Sequence, residues 1–530
     1  MLAPAQQSAV PTGATSPATH LAAANPHGRL LLVLPFENHT GQPNLDWIGS
    51  GAADIFNRRL DAAGFLTITR DDRLYSLDRL GLPLNFRPSR ATTIRIAQLL
   101  DADFVIIGDY TLNGKQLGAS ARILNLHQLT LSQPITEQGN LNDILDTFNR
   151  LAWDTARKLD PSYSVAEQTF LAADGPLRPG AFENYIRGMI AEAPSDRITH
   201  LREAVRLSPG FTPARLELGR AYFANQDYDD AATTFGQMPR DDPNALEADF
   251  YRGLALFYTG KYLKAEDAFA FVATELPLPE VVNNEGVAAS RRGHDGAALF
   301  RQAIAADPHD ADYHFNLAIT LRKHSNIPGA IREIQAALKL HPQDTEAQAL
   351  LATLQKPAPP AATPAQTAAT NESLPLERIK RTYNETEFRQ AAFEMEQMQQ
   401  ARLAVLPPAE RARKLVASGD LFLHRGLILE AEREYQSALK ANPVSADARA
   451  GLAQVREHSQ DLRAARTEAQ QSLTLAPNVP AYLVLARIDL RTNQLSAAAR
   501  EVSQALHLQP TNANALGMKQ AVEAKGQQVP

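Results

Sequence analysis

Two patterns of apolar and polar positions divide the chain. Between Arg29 and Leu159, short continuous apolar runs alternate with stretches of 3.6-residue periodicity. RLLLVLPFEN reads as a buried strand, NLDWIGSGAADIFNRRLDAAGF as an amphipathic helix and LTITR as a second strand. RATTIRIAQLLDA is helical, DADFVIIGDYTLNGKQLGASARILNL is a hairpin turning at Asn113-Gly114, and LNDILDTFNRLAWDTARKL is a long closing helix. Helices alternating with strands and a terminal hairpin predict an α/β sandwich with one mixed sheet. Beyond Ala181 the strand pattern disappears and helical periodicity takes over.

That helical portion is repetitive. A proline closes each of several similar segments, at Pro209, Pro243, Pro277, Pro308 and Pro342, in steps of 34, 34, 31 and 34. Pro443, Pro477 and Pro510 continue the pattern in steps of 34 and 33. Twelve residues before most of these prolines stands an alanine (Ala231, Ala265, Ala330, Ala431, Ala465, Ala498), and eight before stands a larger apolar residue (Phe235, Phe269, Phe300, Ile334, Tyr435). Twenty-four before comes Gly219, Gly253, Ala318, Gly419 or Ala453. A fixed period of this size marks a repeat array of helix pairs, each of which needs its neighbours to bury its apolar face. Two antiparallel helices approach closely where side chains are small, so the small residue of the first helix is expected to face the alanine of the second. Proline then ends the second helix and turns the chain into the next pair. The pattern gives eight units, with Thr345–Leu354 and Ala513–Ala524 as capping helices. In the short unit closing at Pro308, Gly293 and Gly296 lead us to expect a tighter turn.

These residues resemble the tetratricopeptide repeat. The amino-terminal motifs VLPFENHTG, DWIG and LLDADFVIIGDY are similar to the amino-terminal domain of TolB and to CsgG-like and FlgO-like envelope modules, which implies an interaction domain without catalysis. No β-propeller, winged-helix, kinase or cyclase segment accompanies it. The expected fold is an α/β amino-terminal domain followed by an all-α tetratricopeptide-repeat superhelix in two arrays. The boundaries are a tail at 1–28, the α/β domain at 29–160, an array of about five repeats with its cap at 181–355, a linker at 356–376, and a connecting helix with a second array of about three repeats and its cap at 377–525.

Composition narrows the partners. The 530 residues carry a formal charge of -6 and no run of Lys and Arg, which argues against nucleic acid. The absence of Cys excludes disulfides, thiolate metal sites and Cys nucleophiles. No apolar run reaches the roughly 18–20 residues of a membrane-spanning helix. The Ala3-Pro4-Ala5 triplet has the small-x-small form of a signal cleavage site, so the native start is expected to lie upstream or the stretch to be an Ala/Pro-rich tail. KPAPPAATPAQTAATNESLP, from Lys356 to Pro375, reads as a semi-extended linker able to span up to roughly 60 Å. It would let the arrays move independently. After it, Phe388, Ala392, Met395 and Met398 form a helical apolar stripe, expected to pack on the second array or to bind a partner.

Catalytic patterns are weak. Thr259-Gly260-Lys261 lacks the upstream glycine of a phosphate loop and reads as a turn between helices; Gly49-Ser50-Gly51 reads as small residues beneath a sheet rather than a nucleophile elbow. His314 and His324 are too far apart, and lack a third ligand, for a metal site. No catalytic residue, cofactor, metal or small-molecule substrate is expected, and the chain is read as no enzyme. Function is assigned instead to the inner wall of first helices. Resemblance to tetratricopeptide grooves gives Leu216, Arg220, Phe223, Phe250, Leu254, Phe257, Tyr258, Asn283, Phe315, Asn316, Ile319 and Arg322, with Val287 and Lys323 beside them. Phe250, Phe257 and Phe315 fit the inter-repeat core equally well. Leu216 and Arg220 stand where family members that grip a peptide carboxylate carry Lys and Asn, so that clamp is not reproduced. Asn283 and Asn316 are candidates for holding an extended backbone. The second array, with Ala450, Gln454, Val484, Ile488 and Arg491 at the matching positions, is poorer in aromatic residues. The expected role is a non-enzymatic scaffold for protein or peptide partners, periplasmic or envelope-associated. The alternative is a cytoplasmic regulatory or sensory adaptor working with a separate kinase, cyclase or transcription module.

Overall fold

The computed structural model describes residues 30–83, 88–173, 177–242, 244–356, 375–382 and 398–530. They fall into two compact units, one of residues 1–179 with 405–530 and one of residues 180–404.

In the first unit a seven-stranded mixed sheet is built from β1 (Leu30–Val33), β2 (Glu37–Asn38), β3 (Leu66–Thr67), β4 (Phe104–Asn113), β5 (Gln116–Asn125), β6 (Thr130–Leu131) and β7 (Ile135–Asn140). β1 lies parallel to β3 and β4, while β4 and β5 form the antiparallel hairpin, whose turn holds Gly114 at φ 61°. Positive φ is where glycine costs least, which is why Asn-Gly marks the turn in sequence. Helices α1 (Trp47–Ala62) and α4 (Ile144–Leu159) pack on one another. Beside them Phe36 meets Phe56 and Phe148 at ring distances of 5.1 and 5.6 Å. Gly49 and Gly108 make room for it: a Cβ on either would come within 2.2 Å of Phe36. Helices α2 (Arg70–Arg79) and α3 (Arg90–Leu99) contribute Leu77 and Ile96 to a second cluster with Leu32, Val105 and Leu124.

The same unit contains three helix pairs and a closing helix, from Pro408–His424 through Ala513–Glu523. The α/β part meets them through α5 (Glu167–Ala172). Glu432, fully buried, accepts from the Ala166 amide at 2.9 Å and is paired with Arg456, which also donates to Thr169 at 2.7 Å.

The second unit stacks five helix pairs: α6 (Pro179–Ile190) with α7 (Pro194–Leu207), α8 (Thr212–Ala224) with α9 (Tyr228–Phe235), α10 (Ala245–Tyr258) with α11 (Tyr262–Glu275), α12 (Pro279–Arg291) with α13 (Ala297–Ala306), and α14 (Ala311–Lys323) with α15 (Ile327–Leu340). Helix α16 (Thr345–Leu354) closes the stack. Two packing expectations are corrected. At three glycines of the first helices, two here and Gly419 in the other unit, the nearest side chain is a ring rather than alanine: a Cβ on Gly219, Gly253 or Gly419 would meet the ring of Phe235, Phe269 or Tyr435 at 2.5–2.7 Å. At these positions the close approach seats a ring against bare backbone and buries it deeply. The short unit also does not have a tighter turn. Its loop, Arg292–Gly296, is longer than the three-residue loops of its neighbours, and the residues are missing from α13, which has 10 against 14 in α11 and α15. Thr259-Gly260-Lys261 is one of the three-residue turns, with Gly260 at φ 73°.

Of the apolar stripe beyond the linker, Phe388, Ala392 and Met395 lie outside the described residues. Residues 398–404 are helical, with Met398 exposed.

Candidate functional site

Residues Leu376–Lys380, which belong to neither a helix nor a strand, lie against the first helices α12 and α14, with Arg378 and Lys380 bonded to them through their backbone. These residues are neither linker-like in their contacts nor part of a connecting helix. The Asn316 carboxamide accepts from the Arg378 amide at 2.7 Å and donates to its carbonyl at 2.8 Å. Asn284 does the same for Lys380, with both bonds at 2.8 Å. Asn283 donates to the Arg378 carbonyl at 3.1 Å and accepts from Asn316 at 2.8 Å, which fixes the amide orientations. Residues two apart in an extended chain present their N–H and C=O on one edge. The asparagines therefore act as the neighbouring strand would, from side chains carried on α12 and α14.

Side chains of the segment read the groove's charge. Glu377 is buried; its carboxylate accepts from Ser290 and Lys323 at 2.5 Å each, and Arg291 lies at 3.3 Å. Burial by itself would raise this carboxyl, but the bonds from Lys323 and Ser290 hold it below the usual range. Arg378 reaches Asp312 at 3.0 Å, Asp344 at 2.6 Å and Glu346 at 2.9 Å, with its guanidinium 3.7 Å from the centre of the Phe315 ring. Lys380 reaches Asp310 and Asp312 at 2.6 and 2.7 Å and lies over Tyr313. Despite burial, Asp312 is held low by Lys380 and Arg378, and Asp344 is held low chiefly by its bonds from Arg378. Burial alone would lower Lys380, yet Asp310 and Asp312 raise it. Ile379 packs against the cluster that includes Phe315 and Ile319, whereas Leu376 is exposed.

Of the residues expected to line the groove, Asn283, Asn316 and Phe315 come together around Arg378, and Lys323 reaches Glu377. Tyr258 lies 5.9 Å beneath Arg381, and Phe257 lies beneath Arg291. Leu216, Phe250, Leu254, Val287 and Ile319 are buried in the packing; Phe250 is edge-on to Phe269. Arg220 is engaged by Glu217 and Glu247 and lies over Tyr251, while Phe223 packs edge-on or tilted against Tyr228, Tyr251 and Tyr258. Arg322 is half-buried on α14. Sequence reasoning does not mark the charged members Asp310, Asp312, Asp344, Glu346 and Arg291, nor Ser290 and Asn284. The Asn283-Asn284 pair and the charge alternation in ERIK were the signals available.

Outside this site, His314 pairs with Glu333 and His324 with Asp295. Among the described residues no group of three or more His, Asp or Glu is placed to hold a metal ion, and no helix is long and apolar enough to cross a membrane.

Tetratricopeptide-repeat models match residues 187–255, 288–354 and 416–480, so both arrays contain these repeats. No curated protein sequence matches the chain. Among solved structures, MamA 41-end from Desulfovibrio magneticus RS-1 is 20% identical over 32% of this chain and 100% of its own, with a TM-score of 0.30. YrrB, described as a tetratricopeptide-repeat protein with an unusual peptide-binding site, is 16% identical over 33% and 91%, TM-score 0.30. The LpoB C-terminal domain from Salmonella enterica is 17% identical over 22% and 87%, TM-score 0.20.

Proposed function

We propose that the chain is a non-enzymatic protein-interaction scaffold whose first array holds an extended polypeptide segment across α12, α14 and α16. The observation that carries this reading is the pairing of Asn284 and Asn316 with both backbone groups of alternate residues, a contact that needs only a free N–H and C=O at those positions and no particular side chain. Repeats of this kind are generally interaction modules, and the carboxylates at the site are engaged in ion pairs rather than arranged beside a nucleophile. A bacterial-envelope setting is part of the proposal and rests on the likeness of VLPFENHTG and LLDADFVIIGDY to TolB-like modules.

The test uses the full chain with residues 376–381 replaced by Gly and Ser. A labelled peptide PLERIKRT should bind saturably, and the added pair Asn284→Ala and Asn316→Ala should abolish binding. If the replaced chain takes up no peptide at millimolar concentration, the holding role is wrong. Fractionation of cells expressing the native gene tests the compartment, and recovery in the cytoplasm alone would count against the envelope setting.

A further inference from the structure

The groove is filled by the chain itself, and the manner of filling specifies a ligand. One end carries Arg291 and Lys323, the other Asp310, Asp312, Asp344 and Glu346. A chain laid in the opposite direction would set its own charges against like charges, so the site fixes both polarity and order. The attachment is made chiefly of hydrogen bonds, the partly exposed ion pairs of Arg378 and Lys380 and one buried carboxylate, Glu377, with Ile379 as the apolar contact and Leu376 left in water. Such contacts give modest net free energy, because each replaces a bond to water. A modest intrinsic affinity suffices in cis, because attachment to the same chain raises the effective concentration to the order of millimolar.

We infer that Leu376–Lys380 is a built-in competitor. It occupies the groove in cis, and the partner that displaces it is an extended segment with a carboxylate, a guanidinium or ammonium, an apolar side chain and a second cation at four successive positions. This rests on the holding role proposed above and adds the ligand's charge order and its regulation. A competitor seated about 99% of the time weakens apparent binding of any outside segment about a hundredfold, since only the vacant fraction is competent. Partner capture is thereby limited to segments that are tighter, or multiply attached.

The experiment compares labelled PLERIKRT and a charge-reversed PLKEIERT on three full-length proteins: the unaltered chain, the chain with residues 376–381 replaced by Gly and Ser, and Arg378→Glu. The expected result is weak binding of PLERIKRT to the unaltered chain, binding tighter by about two orders of magnitude to both altered chains, and no binding of the reversed peptide. Circular dichroism on each protein checks that the arrays stay helical. Equal binding to altered and unaltered chains overturns the competitor while leaving the holding role intact. Equal binding of both peptides overturns the charge order. Loss of helicity in Arg378→Glu makes the segment a structural strap, and a concentration-dependent dimer lost on replacement puts the segment in a second copy; each overturns the proposal. Failure of PLERIKRT to bind a folded replaced chain removes the holding role itself.

Discussion

Asn284 and Lys380 are joined by a closed pair of hydrogen bonds, the carboxamide donating to the Lys380 carbonyl and accepting from its amide, both at 2.8 Å. The asparagine is buried beneath the docked segment, so both bonds are made out of reach of water while the segment is seated. Truncation in Asn284→Ala should cost about 1–3 kcal/mol of segment docking. Hydrogen exchange at the Arg378 and Lys380 amides would read this as roughly tenfold to hundredfold faster exchange than in the unaltered chain. Unchanged rates would mean that the amides are protected by something else.

Acid should release the segment. Asp312, Asp344 and Glu377 are held below their ordinary range, so the stabilisation they give is complete above that range and lost as pH falls through the lowered values. Methyl NMR of Ile379 should show the docked environment unchanged from about pH 7 to pH 5 and its loss only below about pH 4. Release on raising pH through neutrality would contradict the sign.

Arg456→Ala should be among the most damaging substitutions in the first unit. It leaves Glu432 buried with the Ala166 amide and Gln436 but without its cation. Breaking one side of a buried pair costs about 3–5 kcal/mol, whereas replacing both sides by apolar groups of similar volume is often close to neutral. Urea unfolding of Arg456→Ala beside the double variant Glu432→Leu and Arg456→Met would separate the two cases; a loss under about 1 kcal/mol in the single variant would count against the pair's importance.

Two glycines should respond in opposite directions. At Gly253 an added Cβ would meet the Phe269 ring at 2.7 Å, and overpacking of this kind costs about 1–3 kcal/mol in Gly253→Ala. At Gly517, in the helix Ala513–Glu523, nothing lies within 4 Å, so Gly517→Ala should gain about 0.5–1 kcal/mol from backbone entropy alone. Thermal melts of both variants check the sign; the same direction in both would refute the packing account.

Most of the architecture is written locally. The period of the prolines, the small residue with its large partner, and the Asn113-Gly114 turn are short-range patterns, and the helix pairs and hairpin follow from them. Asn283 and Asn316 were legible as polar residues on an otherwise apolar face. Glu377–Lys380 was not, because its partners stand 32 to 96 residues away, and the charges of ERIK do not by themselves say which residues they meet. Phe250 was ambiguous for a related reason: its place on the first helix suits either a ligand or the next helix, and only packing against Phe269 decides.

The side-chain amides that stand in for a neighbouring strand also impose a filter that no charge pattern contains. They require a free N–H at the positions of Arg378 and Lys380 but take neither backbone group of Ile379. An imino acid or N-methylated residue would therefore be refused at the two outer positions and accepted at the one between. A search for displacing segments can discard candidates on that ground before considering any side chain.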